Sequence, residues 1–226
     1  MGEYILGSCI EHLGRECDYV FTSPPCLEDA SFWGVDVRNP ETYKTKFLDQ
    51  VFPLLNPRLG TVTVSFTGSR RNNARIINKS HYLTQTMYEN GYYLRDRKYV
   101  LKSTSFNAYD HQTIEVLTYQ KEKVKGLYNL KKNGTYHTYG KDVWGPFSKQ
   151  IKLDGEVLGQ PIEIAEYCIM NFTDERHLVY DPFAGIGTTL KAAKKHGRDY
   201  WGYEIRKKIH DVGQGIVNQM DIGEFL

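Results

Sequence analysis

Two stretches of this sequence combine residues that do chemistry with backbone restraints that would hold them in place. Asp18-Tyr19-Val20-Phe21-Thr22-Ser23-Pro24-Pro25-Cys26 is a β-type apolar run that ends in two prolines. Each proline fixes φ near about −65° and removes an amide donor, so the turn is stiff and its carbonyls are left as acceptors. An aromatic amine is a weak nucleophile because its lone pair is delocalised into the ring. The Ser23 hydroxyl and the Pro24 carbonyl can accept both amine hydrogens, which localises the lone pair and aims it at an electrophile such as a methyl sulfonium. An ordinary Ser-Pro strand stop uses the same residues, so this run alone does not decide the chemistry.

The second stretch, His177-Leu178-Val179-Tyr180-Asp181-Pro182-Phe183-Ala184-Gly185-Ile186-Gly187-Thr188-Thr189, reads as strand, glycine turn and helix. Gly185 and Gly187 allow a tight turn and a close backbone approach to a ligand. Thr188 or Thr189 can cap the next helix, whose N-terminus attracts a carboxylate. The next strand ends in Glu204, 23 positions after Asp181, where an acid can hold two ribose hydroxyls. Leu190 stands where the dinucleotide fingerprint has its third glycine, and no Gly-Lys-Thr supports a P-loop. A plain β–α turn has the same G-x-G, and it is the flanking Asp181 and Glu204 that strengthen the reading.

These residues need an α/β scaffold. Short β-branched and aromatic runs alternate with helical stretches. The expected strands are 4–6, 18–22, 60–66, 92–102, 113–120, 178–181 and 200–204, seven in all. Helices are expected at 42–54, 74–90, 161–173, 188–196 and 205–218. The link 103–112 between two strands is too short for a helical crossover and predicts an antiparallel pair; the rest should be mostly parallel. One core suffices for 226 residues, so a single domain is expected over 1–226.

Between 121 and 158 the periodicity fails and lysines interleave with aromatics: Lys131, Lys132 and Lys141 among Tyr128, Tyr136, Tyr139 and Trp144. Such a strip suits a phosphate backbone, although a solvated loop has the same composition. A net charge of +2 excludes a strongly basic coat but permits a local basic face. Hydrophobic residues at 40% and charged residues at 25% exclude a largely disordered chain. No run is long enough to span a bilayer, and Met1–Leu6 lacks the features of a signal peptide. Cys9, Cys17, Cys26 and Cys168 have no metal spacing, so free thiols, no metal and a cytoplasmic, non-secreted protein are expected.

With both turns in view, the chain resembles the amino-group DNA methyltransferases, in the arrangement where the catalytic motif precedes the cofactor motif. Their Thr-Ser-Pro-Pro-aromatic turn is matched by Thr22-Ser23-Pro24-Pro25-Cys26, and their Asp-Pro-Phe-x-Gly-x-Gly-Thr-Thr turn by Asp181 to Thr189. Gly7-Ser8 falls where the family has Gly-Asp, and Gln160-Pro161 where it has Lys-Pro. The likeness runs from residue 3 to 209 and places 121–158 at the family's target-recognition segment. It implies a Rossmann-like seven-stranded, mostly parallel sheet with one antiparallel strand and helices on both faces. It also implies S-adenosyl-L-methionine held by Ser8, Thr22, Asp181, Phe183, Gly185, Gly187, Thr188, Thr189 and Glu204, with catalysis at Ser23, Pro24, Pro25 and Cys26. DNA is the expected partner, met by Lys131, Lys132 and Lys141 after base flipping; a second copy of the chain is a candidate partner, and a membrane is not.

Two departures stand out. Ser8 replaces the acid that would meet the cofactor's adenine, and Cys26 replaces the aromatic that stacks on the flipped base; Phe32 and Trp33 can supply a stacking face instead. Serine at the first catalytic position resembles N4-cytosine enzymes more than N6-adenine ones. Pro25-Cys26 also resembles the Pro-Cys of C5-cytosine methyltransferases, but the order of motifs is reversed and no Glu-Asn-Val is present. A catalytically silent nucleic-acid-binding relative is the remaining alternative, disfavoured because Asp181, Gly185, Gly187 and Glu204 are all kept.

Overall fold

The computed structural model describes residues 1–12, 14–27, 29–36, 39–67, 70–72, 75–101, 113–122, 143–145, 147, 152–153, 156–157 and 159–218. Its strands are β1 (Gly2–Leu6), β2 (Tyr19–Thr22), β3 (Thr61–Thr67), β4 (Arg70–Asn72), β5 (Arg75–Ile77), β6 (Tyr92–Leu101), β7 (Thr113–Lys121), β8 (Val143–Trp144), β9 (Lys152–Leu153), β10 (Glu156–Val157), β11 (Leu178–Asp181) and β12 (Asp199–Glu204). Eight of them form one sheet in the order β1-β12-β11-β2-β3-β7-β6-β8. β7 runs antiparallel to both β3 and β6, and every other pairing is parallel. The seven expected strands and the single antiparallel one are thus present.

The eighth strand is the difference. β8 pairs beside β6 through Tyr99↔Val143 and Val100↔Trp144, and two residues are too few to leave a periodic signal in the sequence. Trp144 is 1% exposed and packs edge-on against Tyr167, which ties the lysine-rich segment to the sheet edge.

Helices begin and end close to expectation at Ile162–Phe172, Thr188–Lys195 and Lys207–Asn218. Residues 41–54 are helical throughout, but Lys44–Leu48 winds as π-helix and Phe52–Leu54 as a 3-10 turn. The expected helix 74–90 starts late, at Lys79. Asn78 Oδ1 accepts the His81 amide at 3.2 Å, and that cap fixes the start. Arg75-Ile76-Ile77, β-branched and free of the cap's restraint, pairs instead with Arg70-Arg71-Asn72 as a separate two-stranded hairpin.

Both faces of the sheet are covered, because successive side chains alternate between two cores. Val20, Val62, Val64, Leu117, Tyr119 and Tyr180 face one core with Phe47, Val51 and Leu83 from the helices of 41–54 and 79–89. Tyr19, Phe21, Val116 and Val179 face the other, with Ile164, Cys168 and Ala192 from the helices Ile162–Phe172 and Thr188–Lys195. Among the described residues no helix is long and apolar enough to cross a membrane.

The chain crosses from β2 to β3 on one side and from β11 to β12 on the other. β2 and β11 are adjacent, so the direction of winding reverses between them. In an open α/β sheet that reversal leaves a crevice at the carboxyl ends of the strands, where ligands bind. The carboxyl ends of β2 and β11 are Thr22 and Asp181.

Candidate active site

Asp181 and Thr22 meet across the crevice. Thr22 Oγ1 donates to Asp181 Oδ1 at 2.6 Å, and the Phe183 amide donates to the same oxygen at 3.0 Å. Burial pushes the Asp181 carboxyl up to about 6; hydrogen bonds from Thr189, Thr22 and the Phe183 amide oppose the shift, and the charge of Glu204 adds to it. This carboxylate is therefore a strut that fixes the turn.

The glycine turn is clamped from both sides. Ala184 N donates to Tyr203 O at 2.8 Å, and the Tyr4 hydroxyl donates to the Gly185 carbonyl. Gly185 and Gly187 have φ of 55° and 79°, in the left-handed region that glycine tolerates. Gly187 has a second reason to be glycine. A Cβ there would lie 2.4 Å from Val217 Cγ2, so the helix Lys207–Asn218 packs directly against this turn. Gly187, not Thr188 or Thr189, is the N-cap of Thr188–Lys195, and no side chain caps that helix. Thr189 turns back to Asp181.

Glu204 ends β12 beside the end of β1. Its carbonyl accepts the Gly7 amide at 3.0 Å, and the residue is only 7% exposed. Arg206 N and Nε donate to Glu204 Oε1 at 2.7 and 3.3 Å, which orients the carboxylate. Ser8 follows directly and accepts the Ile10 amide at 3.3 Å, so its hydroxyl begins the 3-10 turn Cys9–His12. Burial pushes the Cys9 thiol up to about 12, keeping it neutral.

The Ser-Pro-Pro turn leaves β2 directly after Thr22. Pro24 is buried, and Ser23, Pro25 and Cys26 are half-buried. Tyr43 Oη donates to the Pro25 carbonyl at 2.9 Å, and the Ala30 amide to the Cys26 carbonyl at 2.9 Å. Among the described residues no donor is directed at the Ser23 hydroxyl or the Pro24 carbonyl. Both acceptors singled out in the sequence are therefore without a donor among the described residues.

Cys26 Sγ lies 3.8 Å from Lys79 Nζ, a buried ammonium that also sits 5.3 Å from the centre of the Phe66 ring. Trp33 packs edge-on against Phe47 and Phe183, with centroids 5.0 and 6.1 Å apart. It therefore joins the segment after the Ser-Pro-Pro turn to the glycine turn. Phe32 belongs to the same 3-10 turn, Asp29–Trp33. Lys131, Lys132 and Lys141 lie outside the described residues.

Three participants gave no functional signal in the sequence. Tyr4 resembles any strand tyrosine, Tyr43 any apolar helix position, and Lys79 any surface lysine. Gln160, which did give one, accepts a hydrogen bond from Ser65 Oγ on β3; a Cβ on the adjoining Gly159 would come within 2.7 Å of Ile186. The segment before the helix Ile162–Phe172 thus lies across the glycine turn.

Comparison with known proteins agrees with this geometry. Among solved structures, PvuII DNA methyltransferase (cytosine-N4-specific) superposes with a TM-score of 0.75 at 16% identity, covering 98% of this chain and 87% of that one. TTHA0409 of Thermus thermophilus, solved with S-adenosyl-L-methionine, gives 0.69 at 20% identity over 96% and 93%. At these identities the likeness establishes the fold. In sequence, the type II methyltransferase M.HindIII of Haemophilus influenzae is 39% identical over 66 residues, which is 29% of this chain and 20% of that protein. The orphan methyltransferase M.BamHII of Bacillus amyloliquefaciens is 42% identical over 52 residues, 23% of this chain and 20% of that protein. The match thus spans about a fifth of these curated relatives. The family model for N6/N4 methyltransferases, described as DNA methylase, matches residues 18–215 and so takes in both turns; the chain belongs to the N6/N4 DNA methylase family.

Proposed function

We propose that this protein transfers a methyl group from S-adenosyl-L-methionine to the exocyclic amine of a base in DNA, and that the base is cytosine, methylated at N4. The observation that carries this reading is the pair of open acceptors at Ser23 and Pro24, next to a crevice closed by Thr22 and Asp181.

S-adenosyl-L-methionine would supply the electrophilic methyl group. Glu204, oriented by Arg206, would accept from the ribose hydroxyls. Phe183 and Gly185 would line the turn beneath the cofactor, and the uncapped N-terminus of Thr188–Lys195 offers free amides and the positive end of a helix dipole to its carboxylate. Ser8, whose hydroxyl is engaged with Ile10, would give the adenine end a weaker contact than an acid.

On the substrate side, Ser23 and Pro24 would accept the two amine hydrogens and turn the lone pair toward the methyl group. Tyr43 and Pro25 hold that turn rigid, so little reorganisation is needed as charge develops on the amine. The base must leave the stack to reach them. Cys26 would form part of the pocket wall with Trp33 and Phe32 nearby, and forms no bond to the base. Recognition of flanking sequence is assigned to 121–158, an insertion in a single domain, with Lys131, Lys132 and Lys141 on phosphates.

The preference for cytosine rests on serine at the first catalytic position and on the name of the PvuII enzyme. The same acceptors would serve the N6 amine of adenine. Incubating DNA with labelled S-adenosyl-L-methionine and digesting it to nucleosides tests the reading: N4-methylcytosine is expected, N6-methyladenine would change only the base, and no incorporation would reject it.

A further inference from the structure

The hairpin β4–β5 stands outside the main sheet and interrupts what the sequence presents as the approach to a helix. It carries Arg70, Arg71 and Arg75. From residue 50 to residue 88 the chain contains no Asp or Glu but holds Arg58, Arg70, Arg71, Arg75 and Lys79. The whole chain has a net charge of only +2, so this is a strong local excess. Arg58 pairs with Asp18 at the start of β2, the opposite end of that strand from Ser23. The other four cations follow the carboxyl end of β3.

Both roots of the hairpin are fixed to the catalytic turn. Its first strand follows β3, whose Val64 is in register with Thr22. Its second strand runs through Asn78 into Lys79, whose Nζ lies 3.8 Å from Cys26 Sγ. At about 3.3–3.6 Å per residue, Arg70 lies within about 11 Å of Thr67 and Arg75 within about 14 Å of Lys79 along the chain. Three arginines are thereby tethered to the rim of the crevice into which a target base must turn. Duplex DNA presents one negative charge per about 1.7 Å of axis, and guanidinium groups bind phosphates in bidentate fashion.

We infer that the β4–β5 hairpin is a DNA-phosphate clamp: Arg70 and Arg75, which the register places on one face of the hairpin with Arg71 on the other, grip the backbone beside the target nucleotide, independently of the lysine-rich segment 121–158. The inference rests on DNA being the substrate. It makes the clamp a positioning element and leaves base choice to the pocket.

The test uses the intact chain and a fluorescein-labelled duplex of mixed sequence, with affinity measured against salt. Each phosphate that a variant no longer neutralises lowers the slope of log K against log salt by about 0.9. The double variant Arg70→Gln/Arg75→Gln should have a slope shallower by about 1.8, so that a fourfold rise in salt weakens its binding about 12-fold less than it weakens the wild type's. Each of these two substitutions alone should make it shallower by about 0.9, and Arg71→Gln, on the other face, should keep the wild-type slope. The double variant Arg70→Lys/Arg75→Lys should also keep the wild-type slope, and all should bind S-adenosyl-L-methionine as the wild type does. A double Gln variant that retains S-adenosyl-L-methionine binding and the wild-type slope would overturn the clamp. Methyl incorporation by the wild type is read separately: if it is absent while the slope still falls, the clamp stands and methyl transfer does not.

Discussion

Thr22 and Asp181 are 159 positions apart in the chain and 2.6 Å apart across the crevice, joined hydroxyl to carboxylate. The bond ties the end of the strand that carries Ser-Pro-Pro to the end of the strand that carries the glycine turn. The two halves, already paired through β2 and β11, are thus also tied together at the ends of those strands. Thr22→Val keeps the shape and removes the donor. Leaving the buried carboxylate short of a partner should cost about 1–3 kcal/mol, read from urea unfolding, and should weaken S-adenosyl-L-methionine binding in the same variant.

Asp181 also predicts a pH dependence. Its carboxyl is pushed from 3.8 up to about 6 by burial, so the folded chain holds this proton more tightly than the unfolded chain. The contribution favours folding fully below about pH 3.8 and is lost as pH rises through about 6. A difference of that size in proton affinity is worth about 3 kcal/mol. Asp181→Asn keeps an acceptor for Thr22 and Phe183 but cannot titrate. The stability of the wild type relative to this variant should therefore fall by about that amount between pH 4 and 7; equal slopes would show that Asp181 keeps its ordinary affinity for protons.

Glu204 is assigned to the ribose of the cofactor, with Arg206 holding Oε1. Glu204→Ala should weaken S-adenosyl-L-methionine binding by about 1.5–3 kcal/mol, the range for hydrogen bonds to a charged acceptor. Calorimetric titration reads it directly. Unchanged affinity would remove this acid from the cofactor site.

The lysine-rich segment makes a separate prediction. Replacing Lys131, Lys132 and Lys141 together by Gln should lower the salt slope of DNA binding by about 0.9 for each phosphate those lysines neutralise. A wild-type slope in that triple variant would leave the segment as a solvated loop.

Much of the site was legible because its chemistry is written in consecutive residues. Thr22 to Cys26 and Asp181 to Thr189 are continuous, and alternation of apolar residues located the long strands that end in them. What escaped depends on packing between distant positions or on very short elements. Tyr4 is recognisable as the clamp on Gly185 only once β1 is seen beside β12. Gly187 is shaped as much by Val217, 30 positions on, as by any ligand. The hairpin β4–β5 was hidden because Ile76-Ile77 extends the apolar pattern of the following helix, and only the Asn78 cap separates them. β8 has two residues, too few for any period.

The central claim is that the open acceptors at Ser23 and Pro24 activate an amine, and that Cys26 forms no bond to the base. Methylation by the wild type, Ser23→Ala and Cys26→Ser, with the product separated against N4-methylcytosine, N6-methyladenine and C5-methylcytosine standards, tests it most directly. Ser23→Ala should lose about 2.7–4 kcal/mol of transition-state stabilisation, about 100- to 1,000-fold in rate, by analogy with removal of one oxyanion-hole donor. Cys26→Ser should keep substantial activity, and the product should be N4-methylcytosine. C5-methylcytosine as the product, with activity abolished in Cys26→Ser and kept in Ser23→Ala, would contradict the account.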